Sequence, residues 1–137
     1  MDAYFHIPIS HKFHHFLRLV WADKVYSFKA MPFGLAIAPL VFTRIFQTVV
    51  SYLHTQAVLI HSYLDDSLIK NHCRSLLEEH TNLSILLLLR LGFLISWEKS
   101  EIIPSQSFNF LGEHFRTDLG LVLPPEEKVI KVTRYVS

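Results

Sequence analysis

The chain has 137 residues, enough for one domain with a buried core; half of them are hydrophobic and only 18% are charged. With 13 basic and 12 acidic side chains the net charge is +1, which excludes a strongly basic nucleic-acid binder of the histone kind but leaves room for a local basic stripe. The lone Cys73 excludes a disulfide framework and a multi-cysteine zinc site, and it suits a reducing compartment.

The N-terminus, Met1-Asp2-Ala3-Tyr4-Phe5-His6, has neither the positive n-region nor the apolar h-region of a signal peptide. The protein is therefore expected inside the cell, in cytoplasm or nucleus, and not secreted. His6, His11, His14 and His15 cluster in this region and raise the reading of a histidine metal module. A zinc site needs a defined tetrahedral set, however, and no second ligand group accompanies these histidines.

Phe16-Leu17-Arg18-Leu19-Val20-Trp21 and Val25-Tyr26-Ser27-Phe28-Lys29-Ala30 alternate like two strands, with Ala22-Asp23-Lys24 as the polar turn of a hairpin. Met31-Pro32-Phe33-Gly34-Leu35 breaks that pattern. From Pro39 onward the spacing of Phe42, Ile45, Phe46, Val49, Val50 and Leu53 predicts a helix over residues 39–54, with Pro39 suited to the first turn. A second helix is expected over residues 73–91, with Glu78 and Glu79 near its start and Gly92 as its stop. The longest apolar stretch of the chain, residues 83–95, runs from this helix into the next segment, is interrupted by Ser84, Arg90 and Gly92, and falls short of the roughly 20 residues that span a bilayer. No contact with a membrane is expected.

Phe93-Leu94-Ile95-Ser96 reads as a short strand and Trp97-Glu98-Lys99-Ser100 as a polar turn. A further hairpin is expected to begin at Ser107-Phe108-Asn109-Phe110-Leu111-Gly112 and return through Asp118-Leu119-Gly120 to Leu121-Val122-Leu123. Pro124-Pro125-Glu126-Glu127 resembles a helix start. No repeat, low-complexity tract or linker divides the chain, so it reads as one unit of the α+β class, an antiparallel sheet backed by two helices.

The densest chemistry lies in Ser62-Tyr63-Leu64-Asp65-Asp66-Ser67-Leu68-Ile69, two adjacent carboxylates between strand-prone runs. Strand neighbours point to opposite faces, so both carboxylates converge on one spot only if they sit at the turn of a tight hairpin. Like charges held that close raise each other's pKa unless a cation lies between them, and a hard divalent cation such as Mg²⁺ suits oxygen ligands. The competing account is an ordinary polar turn, since Asp is a common turn residue.

Five segments, in order, decide between these accounts: Asp2-Ala3-Tyr4-Phe5-His6-Ile7-Pro8; Met31-Pro32-Phe33-Gly34-Leu35 through Ala38, Pro39 and Phe42; Tyr63-Leu64-Asp65-Asp66; Leu91-Gly92-Phe93 with Lys99; and Phe110-Leu111-Gly112. This series resembles the palm motifs of reverse transcriptases, most closely those of gypsy- and DIRS-type retroelements. The resemblance implies a polymerase-palm fold with a C-terminal primer-grip-like hairpin, and template-directed DNA synthesis by two-metal nucleotidyl transfer. Implied partners are an RNA or DNA template with its primer, and deoxynucleoside triphosphates; two Mg²⁺ or Mn²⁺ ions are the implied cofactors.

By the same resemblance Asp65, with Asp66 beside it, holds metal, and Lys99 protonates or neutralises the leaving pyrophosphate. Asp2, Ala3, Tyr4, Phe33 and Gly34 line the nucleotide site, where Tyr4 acts as a steric gate against the 2′-hydroxyl and Gly34 permits close backbone approach. Tyr63, on the face of Asp65, and Leu64 contact the primer end, and Phe110, Leu111 and Gly112 hold the primer strand. Each position has a plainer alternative: Tyr4 and the aromatics around Phe110 as core, Phe33-Gly34 as a loop leading into a helix, Lys99 as a solvated lysine.

The family's first catalytic aspartate precedes the Asp-Ala-Tyr segment by three residues, ahead of Met1, and Asp2 matches the later aspartate of that motif. Residues 1–137 are accordingly expected to be a partial palm domain, with fingers, thumb and RNase H absent, and to be inactive alone. A catalytically dead retroelement remnant with at most residual nucleic-acid binding is the alternative. The 11 Phe, 5 Tyr and 2 Trp further predict an exposed apolar patch near the N-terminal strand and residues 108–115, with the helix over 73–91 packed on the sheet.

Overall fold

The computed structural model describes residues 3–124. Where an N-terminal strand was expected, the chain forms two 3-10 segments, Ala3–His6 and His11–Phe16. The stretch between them still runs beside the later chain. Met31 N–H donates to Ile7 O at 2.9 Å and Ile9 N–H to Lys29 O at 2.8 Å, around a single antiparallel bridge of Pro8 with Ala30.

β1 (Arg18–Trp21) and β2 (Lys24–Ser27) form the first hairpin, with Leu19 opposite Tyr26 and Trp21 opposite Lys24. Its two-residue turn, Ala22-Asp23, has positive φ at both positions (48° and 58°), the backbone handedness that matches strand twist. Every residue of both strands is exposed.

α1 (Ala38–Thr55) follows, with a proline in its first turn. Ala38, Phe42, Phe46, Val49 and Leu53 recur every three or four positions, so one stripe of this helix is buried. β3 (Leu59–Tyr63) and β4 (Asp66–Lys70) form the second hairpin. α2 (Arg74–Arg90) packs against β4, while α1 packs against β3.

α2 ends through backbone geometry: Gly92 N–H donates to Leu89 O and Phe93 N–H to Leu88 O, both at 3.0 Å, with Gly92 at φ +85°. This paired-bond cap requires a residue in the left-handed region, which glycine enters at no steric cost. It also consumes Phe93, so residues 93–96 form no strand, contrary to expectation. The Leu94 N–H goes instead to a side chain at the other end of the chain.

The last sheet has three strands, β5 (Ser107–Phe110), β6 (Glu113–Arg116) and β7 (Leu121–Leu123), in that order. The expected return to residues 121–123 is therefore made by two turns, one at Leu111-Gly112 and one before Leu121, with β6 between them. The architecture is α+β, with three separate antiparallel sheets among the described residues. The helix expected from Pro124-Pro125-Glu126-Glu127 lies outside the described residues.

Two linked clusters make the core. Met31, Ala38, Phe42 and Phe46 form one, joined by Tyr4, Ile7 and Phe93; Val49, Leu53, Val58 and Ile60 form the other, joined by Leu87, Leu88 and again Phe93. α2 contributes less than its sequence promised: Ser84 is its one buried residue, while Leu76, Leu83, Leu86 and Leu89 are exposed. Leucines at consecutive positions 86–89 wrap the helix, and no rotation buries them all. Phe108, Phe110 and Phe115 are half-buried, with Phe115 stacked on Phe108 and tilted against Phe110, while the most exposed large apolar side chains lie elsewhere: Val20 and Trp21 on the β1–β2 hairpin, Phe16 before it, and Leu94 and Ile103. Among the described residues, no helix is long and apolar enough to cross a membrane.

Candidate active site

The β3–β4 hairpin is held from below. Val58 and Ile60 are buried against Leu53 at the end of α1, His54 Nε2 donates to Ile60 O at 3.0 Å, and Val58 N–H donates to Leu53 O at 3.1 Å. One step nearer the tip, Ser62 and Ser67 share a 2.9 Å hydroxyl hydrogen bond across the strands. The tip itself carries the acidic pair.

Leu64 and Asp65 form the two-residue turn, with Leu64 at φ 52°, and Asp66 is the first residue of β4. The pair thus straddles the end of the turn instead of occupying both of its positions. Strand alternation stops at Tyr63, whose cross-strand partner is Asp66, not Asp65. Tyr63, Asp65 and Asp66 are exposed and Leu64 is half-buried.

An open cleft lies between this hairpin, α2, residues 93–106 and the β5–β6 hairpin. Asp65 and Asp66 line it from one side, Lys99 from the 3-10 segment Trp97–Lys99, and Phe110 from β5, with His6 and Lys70 also on its walls. Leu64, Tyr63, Leu111 and Gly112 are not among the lining residues.

The second group of expected site residues meets elsewhere. The Tyr4 ring lies 5.2 Å from Phe33 and edge-on to Phe42 at 6.0 Å, and Phe5 meets Phe33 at 5.3 Å. Tyr4 is half-buried against the Met31–Phe42 cluster, so it combines a packing role with a place on an aromatic surface. Gly34 has φ +91°, and a Cβ there would meet nothing within 4 Å; its backbone conformation, not crowding, is what calls for glycine. Ala3 opens the first 3-10 segment, and Asp2 lies outside the described residues.

Of the four clustered histidines, His11 and His14 meet, with ring centroids 5.1 Å apart, and the other two are turned to different partners. His14 Nε2 donates to Ile9 O at 2.8 Å, His15 lies against Phe16, and His6 is turned to Phe93 and Leu94. Among the described residues no group of three or more His, Cys, Asp or Glu side chains could hold a metal ion. The hairpin offers a pair of carboxylates, an oxygen-only donor set that suits a hard divalent cation as part of a larger site.

Sequence reading placed His6 in the histidine cluster and missed the contact it makes. Its partner, Leu94, is 88 positions away, and no local pattern signals such a contact.

Residues 1–115 match the family model described as reverse transcriptase (RNA-dependent DNA polymerase). The chain belongs to the reverse transcriptase family. No curated protein sequence matches the chain. For a reverse transcriptase the natural substrates are a nucleic-acid template and deoxynucleoside triphosphates, and the matched segment contains both the Asp65-Asp66 hairpin and the Tyr4–Phe33 surface.

Proposed function

We propose that residues 1–137 are palm sequence of an RNA-directed DNA polymerase from a gypsy- or DIRS-type retroelement. The observation that carries the reading is that Asp65, Asp66 and Lys99 line one cleft, from segments separated by the whole of α2.

In this reading Asp65 and Asp66 hold Mg²⁺ or Mn²⁺, which when bound supplies charge neutralisation at the reacting phosphate. Lys99 offers a cation and a proton toward the leaving pyrophosphate. Tyr4 closes the space a 2′-hydroxyl needs, Phe33 and Gly34 border the nucleotide, and Asp2 and Ala3 lie beside it. Tyr63 and Leu64 face the primer end, and the Phe110-Leu111-Gly112 hairpin holds the primer strand. Two-metal transfer needs more ligands than one hairpin pair, so a further carboxylate has to come from outside the described residues.

The test is incorporation of a deoxynucleotide on a primed template, with Mg²⁺ or Mn²⁺. The 137 residues alone are expected to give no more product than an Asp65→Ala variant. The same residues joined to a fingers segment that ends in a catalytic aspartate are expected to incorporate, in an Asp65-dependent way. A folded, extended protein that stays inert would replace this reading with that of a dead remnant.

A further inference from the structure

His6 Nε2 lies 2.9 Å from the Leu94 backbone nitrogen. An amide N–H can only donate, so Nε2 must be the acceptor, and the imidazole is therefore neutral with its proton on Nδ1. The same ring lies against Phe93, with centroids 5.3 Å apart and planes at 33°. Phe93 is itself fixed, edge-on to Phe46 at 5.6 Å and bonded through its N–H to Leu88 O. His6 therefore grips the chain where it leaves the α2 cap.

Four residues after Leu94 comes Glu98, and then Lys99, in the short 3-10 segment Trp97–Lys99. Residues 93–96 pair with no strand, so the sheet ladders that fix other segments do not fix this one. Toward its other end, the segment containing His6, Ala3–His6, carries Tyr4, whose ring meets Phe33. One imidazole thus joins the aromatic surface to the lysine-bearing wall of the cleft.

We infer that His6 is a positioning residue: as a neutral Nδ1–H imidazole it clamps Leu94 and so sets where the Lys99 segment stands relative to Tyr4 and Phe33. The consequence for nucleotide addition rests on the polymerase reading above; the clamp itself does not.

The experiment uses the 137-residue chain. Nitrogen NMR of ¹⁵N-histidine protein should show His6 with Nδ1 protonated and Nε2 bare; the opposite tautomer overturns the assignment without any variant. Hydrogen exchange then reads the contact. His6→Phe keeps a ring and removes the acceptor, and should speed exchange at the Leu94 amide roughly tenfold while leaving Leu53 unchanged, as expected for loss of one hydrogen bond. His6→Gln places a carbonyl oxygen near the Nε2 position and should restore protection. In a Trp21→Phe background Trp97 is the sole tryptophan, so acrylamide quenching reports on the Lys99 segment. His6→Phe should raise quenching and His6→Gln return it. Unchanged Leu94 exchange, or unchanged Trp97 quenching once Leu94 is released, refutes the inference. A clamp that behaves as stated in a polymerase that proves inert refutes the catalytic reading instead.

Discussion

Leu53→Ala tests whether α1 is what holds the acidic hairpin in place. Leu53 is fully buried, in a cluster with Val49, Val58 and Ile60, and its carbonyl accepts the Val58 N–H that starts the run into β3. Removing a buried leucine side chain costs about 2–5 kcal/mol, and the outcome depends on how far the neighbours collapse. Here Ile60 on β3 and Val58 just before it are pinned by the Val58–Leu53 and His54–Ile60 hydrogen bonds, so they cannot move far into the space. That places the expected loss at about 3–4 kcal/mol, a large share of the roughly 5–15 kcal/mol that holds a domain together. Urea unfolding followed by circular dichroism measures it. Val20→Ala on the exposed β1 strand serves as control, expected within about 0.5 kcal/mol of the parent. A Leu53→Ala loss under about 1 kcal/mol would mean that β3 does not depend on the end of α1, and the account of how Asp65 is held would fall with it.

Gly92→Ala is expected to lower stability by about 1–2 kcal/mol in the same assay, through its left-handed backbone alone, because an added Cβ meets nothing within 4 Å; no loss would show that the α2 cap relaxes freely. Asp118 accepts two hydrogen bonds from Arg116, at 3.0 and 2.8 Å, and the Arg116 side-chain hydrogen bond holds its carboxyl below the ordinary carboxylate range. A depressed folded value means that the contribution is present above the unfolded carboxylate pKa of about 3.9 and is lost as pH falls through the folded one, so Asp118→Asn should flatten part of the acid-side decline and change little near neutrality. Both groups are solvent-accessible, so the effect should be small and screened by salt. Trp21, Val20 and Val25 are each more than three-fifths exposed, so the chain alone should associate in light scattering and bind a hydrophobic dye, and Trp21→Ser should reduce both; a dye-free monomer would refute this.

What the sequence disclosed was what local chemistry decides. The β1–β2 turn, the apolar stripe of α1 and the stop at Gly92 each follow from a few neighbouring residues, and each appears within a residue or two of its expected place. Residues 93–96 failed because their strand-like composition is a local property, whereas a strand needs an edge to pair with; the cap claimed Phe93 and His6 claimed Leu94. α2 misled for the opposite reason. Its leucines suggested a packed face, but their number hid the fact that they point all round the helix, leaving four exposed. The strand β6 was overlooked because one long hairpin and a three-stranded meander share the same alternation, and only the turn at Leu111-Gly112 separates them.

The site divides along the same line. The acidic pair was legible because two adjacent carboxylates between apolar runs form a local signal, and the structure exposes them at a hairpin tip while burying its base. That arrangement is what a charged site requires: an apolar foundation fixes the geometry, and the ionised groups remain in water until a ligand replaces their solvation. What no local signal carried is the geometry between segments, by which Lys99, Asp65 and Asp66 line one cleft and His6 reaches Leu94. The residue types at a site are chosen by the chemistry of the atoms they touch, but the distances among them are set by the core beneath. For this chain that core is a short list, chiefly Phe42, Phe46, Leu53, Val58 and Ile60, with Phe93 shared between its two halves. Phe93 is consequently the point at which packing and site geometry meet: it closes the α2 cap, joins the two clusters and supports the His6 ring, so a change there moves all three at once.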